Sequence, residues 1–181
     1  ATTVEAHHLA MRVCTAGKRE YEIEALVDYS FRRRNGLPGY QSIIAAGKNA
    51  TVLHYVDCQD QLEAGQLLLV DAGCELDGFT GDVTRTYPIP APGQKAQFAR
   101  EQRQLYDIVL DAQLAAIAAV RPGVTIEELH TLICHRLASG LCALGLLSGD
   151  PASAVESGAL KRFYPHRSSH FLGLDVHDVG R

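Results

Sequence analysis

Residues 67 to 88 read LLLVDAGCELDGFTGDVTRTYP, and the way this stretch folds decides where the chemistry of the chain lies. Leu67 to Val70 are four apolar residues of strand type that run straight into Asp71, and a second acid, Asp82, follows a turn near Leu76-Asp77-Gly78. The pattern predicts a hairpin, one strand through Gln66 to Glu75 and the return through Phe79 to Pro88. A two-residue loop at Leu76-Asp77 would set Asp71 directly opposite Asp82, with Cβ atoms about 4.5–5.5 Å apart. A loop at Asp77-Gly78 would make them diagonal neighbours on the same face. Either register brings the carboxylates together, and two like charges that close share a proton, contact a cationic side chain or bind metal. Arg85 is the obvious cation, but its odd separation from Asp82 sends it to the opposite face. Metal is therefore favoured over a structural ion pair, with both readings open on these residues alone.

Histidines supply a third kind of ligand. His166, His170 and His177 lie within FYPHRSSHFLGLDVHDVGR, whose Ser, Pro and Gly content argues against a helix, and His54 sits in LHY. If residues 166 to 170 are extended, the even spacing puts His166 and His170 on one face. One imidazole beside two carboxylates is a mixed N/O set that suits Mn, Co or Zn rather than a thiolate-seeking metal.

The rest of the chain narrows the class. Its 181 residues are 46% apolar with a net charge of −4, which allows one domain with a substantial core. Basic residues are scattered, and the densest run, Arg32-Arg33-Arg34, reads as a solvated helix face, so nucleic acid is not an expected partner. No apolar run approaches the ~20 residues that span a bilayer, and the start lacks a signal-peptide layout. Five cysteines, Cys14, Cys58, Cys74, Cys134 and Cys142, form no C-x-x-C pair and fit free thiols in a reducing compartment. A cytoplasmic protein with no membrane partner is expected.

Two helices are predicted before the hairpin: residues 1 to 16, with Val4, His8, Met11 and Thr15 on one face, and residues 19 to 36, with Ile23, Leu26, Val27 and Phe31 as the apolar stripe. Nothing resembles an N-cap at the start. Gly17 separates the helices, and Asn35-Gly36 ends the second. Extended pieces are expected at Ser42 to Ala46 and Thr51 to Tyr55. After the hairpin, helices are predicted over about Gln94 to Val120 and Thr125 to Ala143, with a stop at Arg121-Pro122-Gly123. An offset of 106 matches Gly17 with Gly123, Ile23 with Leu129, Leu26 with Leu132 and Val27 with Ile133, which suggests two related halves. On that reading the second half should also end in a hairpin beyond Phe163 to His177, and the chain stops at Arg181 instead.

The motifs DAGCELDGFTGDVTRTYP (Asp71 to Pro88), LHY (around His54) and SHFLGLDVHDVG (Ser169 to Gly180) closely resemble the pita-bread metallopeptidases, in particular the Xaa-Pro aminopeptidases. The likeness runs over nearly the whole chain in the same order. It implies an α+β fold of pseudo-symmetric halves, with helices packed on a curved antiparallel sheet. It also implies a site for two divalent metal ions, usually manganese, held by two Asp, one His and two Glu. Asp71 matches the Asp on one metal, Asp82 the bridging Asp and His170 the His on the other. His54, His166 and His177 match histidines that contact substrate near the scissile bond and the proline pocket, with His177 or His54 stabilising the oxyanion. Arg167 stands where relatives often carry Gly.

Both Glu ligands of the family follow the VHDVG motif, and no Glu follows His177 here. The resemblance thus implies an incomplete catalytic domain, without the C-terminal strands or the family's smaller N-terminal domain. The expected activity is release of an N-terminal residue that precedes proline, from peptides with proline in the second position. The 181-residue chain itself is expected to bind metal weakly or not at all, to have little activity and to self-associate through uncovered apolar surface. Prolidase is the nearest alternative, a non-catalytic pita-bread peptide- or protein-binding module the alternative from another class, and a methionine aminopeptidase comes third.

Overall fold

In the computed structural model, which describes residues 1–180, the LLLVDA run forms a strand whose side chains alternate between two environments: Leu68, Val70 and Ala72 are buried, while Leu67, Leu69 and Asp71 are half-buried on the other face. This period of two places Asp71 away from the main core. The elements in chain order are α1 (Thr2–Val13), α2 (Glu20–Arg32), β1 (Leu37–Pro38), β2 (Ile43–Ala46), β3 (Leu67–Ala72), β4 (Cys74–Leu76), β5 (Phe79–Thr80), β6 (Val83–Pro88), α3 (Arg100–Ala119), α4 (Ile126–Ala143) and α5 (Pro151–Glu156). They divide between two units, Ala1–Phe98 with the residues from Phe171 onward, and Ala99–His170.

The first unit holds two antiparallel sheets of three strands, in the orders β2-β3-β6 and β1-β4-β5. The expected hairpin is present but interrupted. Its turn lies at Asp77-Gly78, both with positive φ (54° and 81°), so Leu76 pairs with Phe79 and Glu75 with Thr80. The same register returns in the other sheet as Asp71 opposite Thr84 and Val70 opposite Arg85. Between the two sheets Gly73 turns its carbonyl to the Gly39 N–H at 2.9 Å instead of to the partner strand. A methyl group on Gly73 would sit 1.6 Å from the Gly81 carbonyl oxygen, so only glycine allows the two backbones to cross this closely. What reads as two long strands is therefore four short ones.

Helices α1 and α2 cover the sheet, and the core joins Ala6, Ala10, Ile23, Val27 and Phe31 to Ile44, Leu68, Val70 and Tyr87. The predicted face of α1 is corrected: Val4 and Met11 are exposed, and Thr3, Ala6, His7 and Ala10 are buried. Small residues let α1 approach the sheet closely, and its two polar residues find partners there. Thr3 Oγ1 accepts the Cys74 N–H at 3.1 Å. His7 Nε2 faces the Ala72 carbonyl at 3.3 Å and Nδ1 faces the Tyr87 hydroxyl at 2.7 Å. A carbonyl only accepts, so Nε2 carries the proton and Nδ1 accepts from Tyr87, which is the neutral imidazole.

Ser42 to Ala46 is extended as expected, with Ile43 to Ala46 paired to β3. Thr51 to Tyr55 is not. A 3-10 turn occupies Gly47–Thr51 and irregular chain follows, because the polar groups of this segment bond to α2 rather than to a neighbouring strand. The Arg32-Arg33-Arg34 run is exposed, and Arg34 pairs with Glu5 at 2.9 Å. All five cysteines are free thiols.

In the second unit α3 and α4 pack around Ala112, Cys134, Leu137, Ala138 and Leu141. Gly140 faces Ile108, where a methyl group would meet its side chain at 2.5 Å. Helix α4 starts where predicted, with Thr125 Oγ1 accepting the Glu128 N–H at 3.1 Å and the Glu128 carboxylate accepting the Thr125 N–H at 2.8 Å. Helix α3 starts at Arg100 rather than Gln94, after the Gln102 side chain has accepted the Ala99 N–H. Both units open on a helix pair joined through a left-handed glycine, Gly17 (φ 94°) and Gly123 (φ 90°), as the 106-residue offset implies. Among the described residues no helix is long and apolar enough to cross a membrane.

Two outcomes follow from this packing. Burial lowers the pKa of His7, so the unfolded chain gains a proton at a higher pH than the folded one. Stability should be level above about pH 6.5 and fall as the pH drops through the unfolded value towards the folded one. Chemical denaturation from pH 7.5 to 5 should show this slope, and His7→Gln, which keeps a donor and an acceptor but does not titrate in this range, should flatten it. Gly73→Ala should destabilise the first unit by about 3 kcal/mol or more, at or beyond the upper end of overpacking costs, because the obstructing atom is backbone. A denaturation midpoint equal to wild type would contradict that close approach.

Candidate functional site

Asp71 ends the half-buried face of β3, with Ile43 of β2 on one side and Thr84 of β6 on the other. Asp82 lies just before β6, on the face it shares with Thr84. The Asp77-Gly78 turn thus selects the diagonal arrangement of the two carboxylates and sets aside the directly opposed one. Arg85 pairs with Val70 on the opposite face, is exposed, and donates to the Thr84 carbonyl at 2.8 Å.

The carboxylates meet at one hydroxyl. Tyr40 Oη lies 2.5 Å from Asp71 Oδ1 and 3.0 Å from Asp82 Oδ1. Its ring occupies the space left by Gly73, where a methyl group would come within 2.9 Å of Tyr40 Cε1. Burial first, and then the hydrogen bond and charge of Asp71, push the phenol far above its ordinary pKa, so the hydroxyl keeps its proton. A phenol has a single proton to donate, and two acceptors converge on it. Tyr40 therefore holds the carboxylates in place without neutralising them. Two half-buried, hard oxygen donors on one face fit a share of the coordination sphere of a divalent cation such as Mn, Mg or Zn. They do not make a whole site: among the described residues no group of three or more His, Cys, Asp and Glu side chains is placed to hold a metal ion.

The four candidate histidines, His54, His166, His170 and His177, are exposed. His54 lies in the loop after the Gly47–Thr51 turn, and His177 lies in the first unit just before Asp178, which forms an isolated bridge with Phe171. His166 and His170 belong to the second unit, with His170 as its last residue. The expected extended run from 166 to 170 is corrected: the segment is irregular, with bends at His166 and Ser168. Its side chains bond to α4 instead of to a strand. The Ser168 hydroxyl lies 2.7 Å from His130 Nδ1 and accepts from the Tyr164 hydroxyl at 2.7 Å, while the His130 and Tyr164 rings stack at 5.9 Å. Arg167 pairs with Glu127. Tyr40, Glu127 and His130 were not marked by the sequence as part of any site; a tyrosine two residues after a proline carries no signal of its own.

Comparison with known proteins agrees with this architecture. The model of metallopeptidase family M24 matches residues 1–181. The Xaa-Pro aminopeptidase of Escherichia coli K12 is 39% identical over 179 residues, 98% of this chain and 40% of the relative. That of Haemophilus influenzae is 40% identical over 179 residues, with the same coverage. Among solved structures, Pseudomonas aeruginosa aminopeptidase PepP superposes with a TM-score of 0.94 at 42% identity, covering 99% of this chain and 40% of that one. A zinc-substituted Escherichia coli aminopeptidase P in complex with product gives 0.94 at 39% identity, with equal coverage. The chain spans about 40% of the length of these relatives. The fold is thus the pita-bread fold expected of it, and the chain belongs to metallopeptidase family M24.

Proposed function

We propose that this chain supplies part of the active site of a metal-dependent Xaa-Pro aminopeptidase, as one incomplete pita-bread catalytic domain. The observation that carries the reading is the convergence of Asp71 and Asp82 on Tyr40, in a chain whose named relatives are Xaa-Pro aminopeptidases. Asp71 and Asp82 would hold divalent metal together with His170, the ligand that the resemblance assigns, and manganese is the metal we infer. Divalent metal held there would supply Lewis-acid chemistry, lowering the pKa of a water and polarising a peptide carbonyl. The chain's own residues do the rest. Tyr40 keeps both carboxylates on one face while its proton stays on oxygen. His54 and His177 are the candidates for hydrogen bonding to the oxyanion, and His166 for contact beside the proline.

A peptide with proline in the second position is the substrate class we infer, and the free thiols support a cytoplasmic setting. Prolidase chemistry is the nearer alternative on motif grounds, but the named relatives are aminopeptidases. A non-catalytic module has no need for two acids on one phenol. Turnover is proposed for a longer protein, in which further anionic ligands join this set. The 181-residue chain alone would bind manganese weakly, since two carboxylates and one imidazole leave both coordination and charge unsatisfied. Self-association is proposed for it too, since Val109, Leu114, Ile117 and Val120 remain more than half exposed along and just after α3.

Manganese-dependent release of the first residue from an Xaa-Pro peptide tests this reading. A protein of the relatives' length carrying this chain should turn over, and Asp71→Asn should lower the rate by about 10²-fold or more, the scale of losing electrostatic stabilisation at a reacting carbonyl. Tyr40→Phe should weaken manganese affinity by about 10–100-fold through loss of carboxylate orientation. The 181-residue chain alone should release nothing above background, and robust turnover by it would contradict the proposed incompleteness.

A further inference from the structure

We infer that Glu20 is a positioning residue for His54, acting through a buried carboxylate clamp that fixes the loop from Ala46 to Asp60. Glu20 opens α2 and is 0% exposed. A carboxylate out of water needs its lone pairs filled. Oε1 accepts from the Ala46 N–H at 2.7 Å and from the Asn49 side chain at 3.0 Å. Oε2 accepts from the Tyr55 hydroxyl at 2.6 Å and from the Asp60 N–H at 2.9 Å. All four partners are neutral donors, two from the entrance of the loop and two from its exit. Asn49 also reaches the Tyr55 hydroxyl and the Asp60 carboxylate, at 3.0 and 2.9 Å. The main chain of α2 adds Glu20 N–H to the Asp60 carbonyl and Tyr21 N–H to the Cys58 carbonyl.

Within this clamp Thr51, Val52, Leu53 and His54 are exposed and no strand pairs with them, so their placement comes from the ends of the loop. His54 immediately precedes Tyr55, whose hydroxyl is anchored on Glu20. A buried charge that draws both ends of a loop onto one point is a costly device for holding a surface turn, and it suits a turn whose exposed imidazole needs a fixed position. This role rests on the reading of His54 as a substrate-contacting residue.

Amide hydrogen exchange in the 181-residue chain tests the clamp, with Tyr55→Phe as a mild variant and Glu20→Gln as a severe one that sets an amide donor against existing donors. Tyr55→Phe should speed exchange over residues 47 to 60 by about tenfold, the scale of one lost bond to a charged group, and leave the β3 amides unchanged. Unchanged exchange in that loop, or an equal rise in β3, would overturn the clamp. In an active protein of the relatives' length, Tyr55→Phe and His54→Ala should each lower kcat for an Xaa-Pro peptide, and the double variant should fall no further than His54→Ala. Additive losses would overturn the link to His54. Turnover indifferent to His54→Ala would instead remove the substrate-contacting reading and the positioning role with it, and a loosened loop would then show the clamp to be purely structural.

Discussion

The close passage of Gly73 against Gly81 organises the part of this molecule that matters for chemistry. With no side chain at either position, the hairpin leaves the β2-β3-β6 sheet and enters the β1-β4-β5 sheet without losing its register. The same crossing opens the space in which the Tyr40 ring lies, so its hydroxyl reaches Asp71 near the end of β3 and Asp82 just before β6. A larger residue at 73 would block the crossing and displace the ring together. The local backbone requirement and the placement of two carboxylates are thus one constraint.

Around this point His7, Thr3 and Glu20 are buried and bond to neutral partners rather than charged ones. His7 sits between the Ala72 carbonyl and the Tyr87 hydroxyl as a neutral ring, and Thr3 accepts from the Cys74 N–H. Glu20 keeps four neutral donors. Unpaired buried groups are costly and imperfectly paired ions are rarely stabilising, so this style of satisfaction fixes geometry more than it adds stability. It fixes α1 against the hairpin and α2 against the His54 loop. Asp71 and Asp82 differ in converging on the one proton of the Tyr40 hydroxyl.

Much of this was legible in the sequence. The strand-type run Leu67 to Val70, the turn near Leu76-Asp77-Gly78 and the helix from Thr125 onward each follow a local physical rule, and each appears in the structure. The side-by-side acids followed from parity alone. What the sequence hid is non-local. The buried face of α1 is made of Thr3, Ala6, His7 and Ala10, which a search for large apolar residues passes over in favour of Val4 and Met11. Thr51 to Tyr55 has the composition of a strand but is held by Glu20, 26 or more positions earlier than the atoms it bonds. Tyr40 is found only once the sheets are built, and the relation of His170 to the acids was supplied by family resemblance rather than by local rules.

Crystals of this chain, or of a longer protein containing it, grown or soaked with manganese and measured for anomalous scattering, address the central point most directly. One peak or more should lie within about 2.0–2.5 Å of carboxylate oxygens from both Asp71 and Asp82. A protein saturated with manganese whose anomalous density touches neither acid, or only one of them, would contradict the reading of this pair as metal ligands.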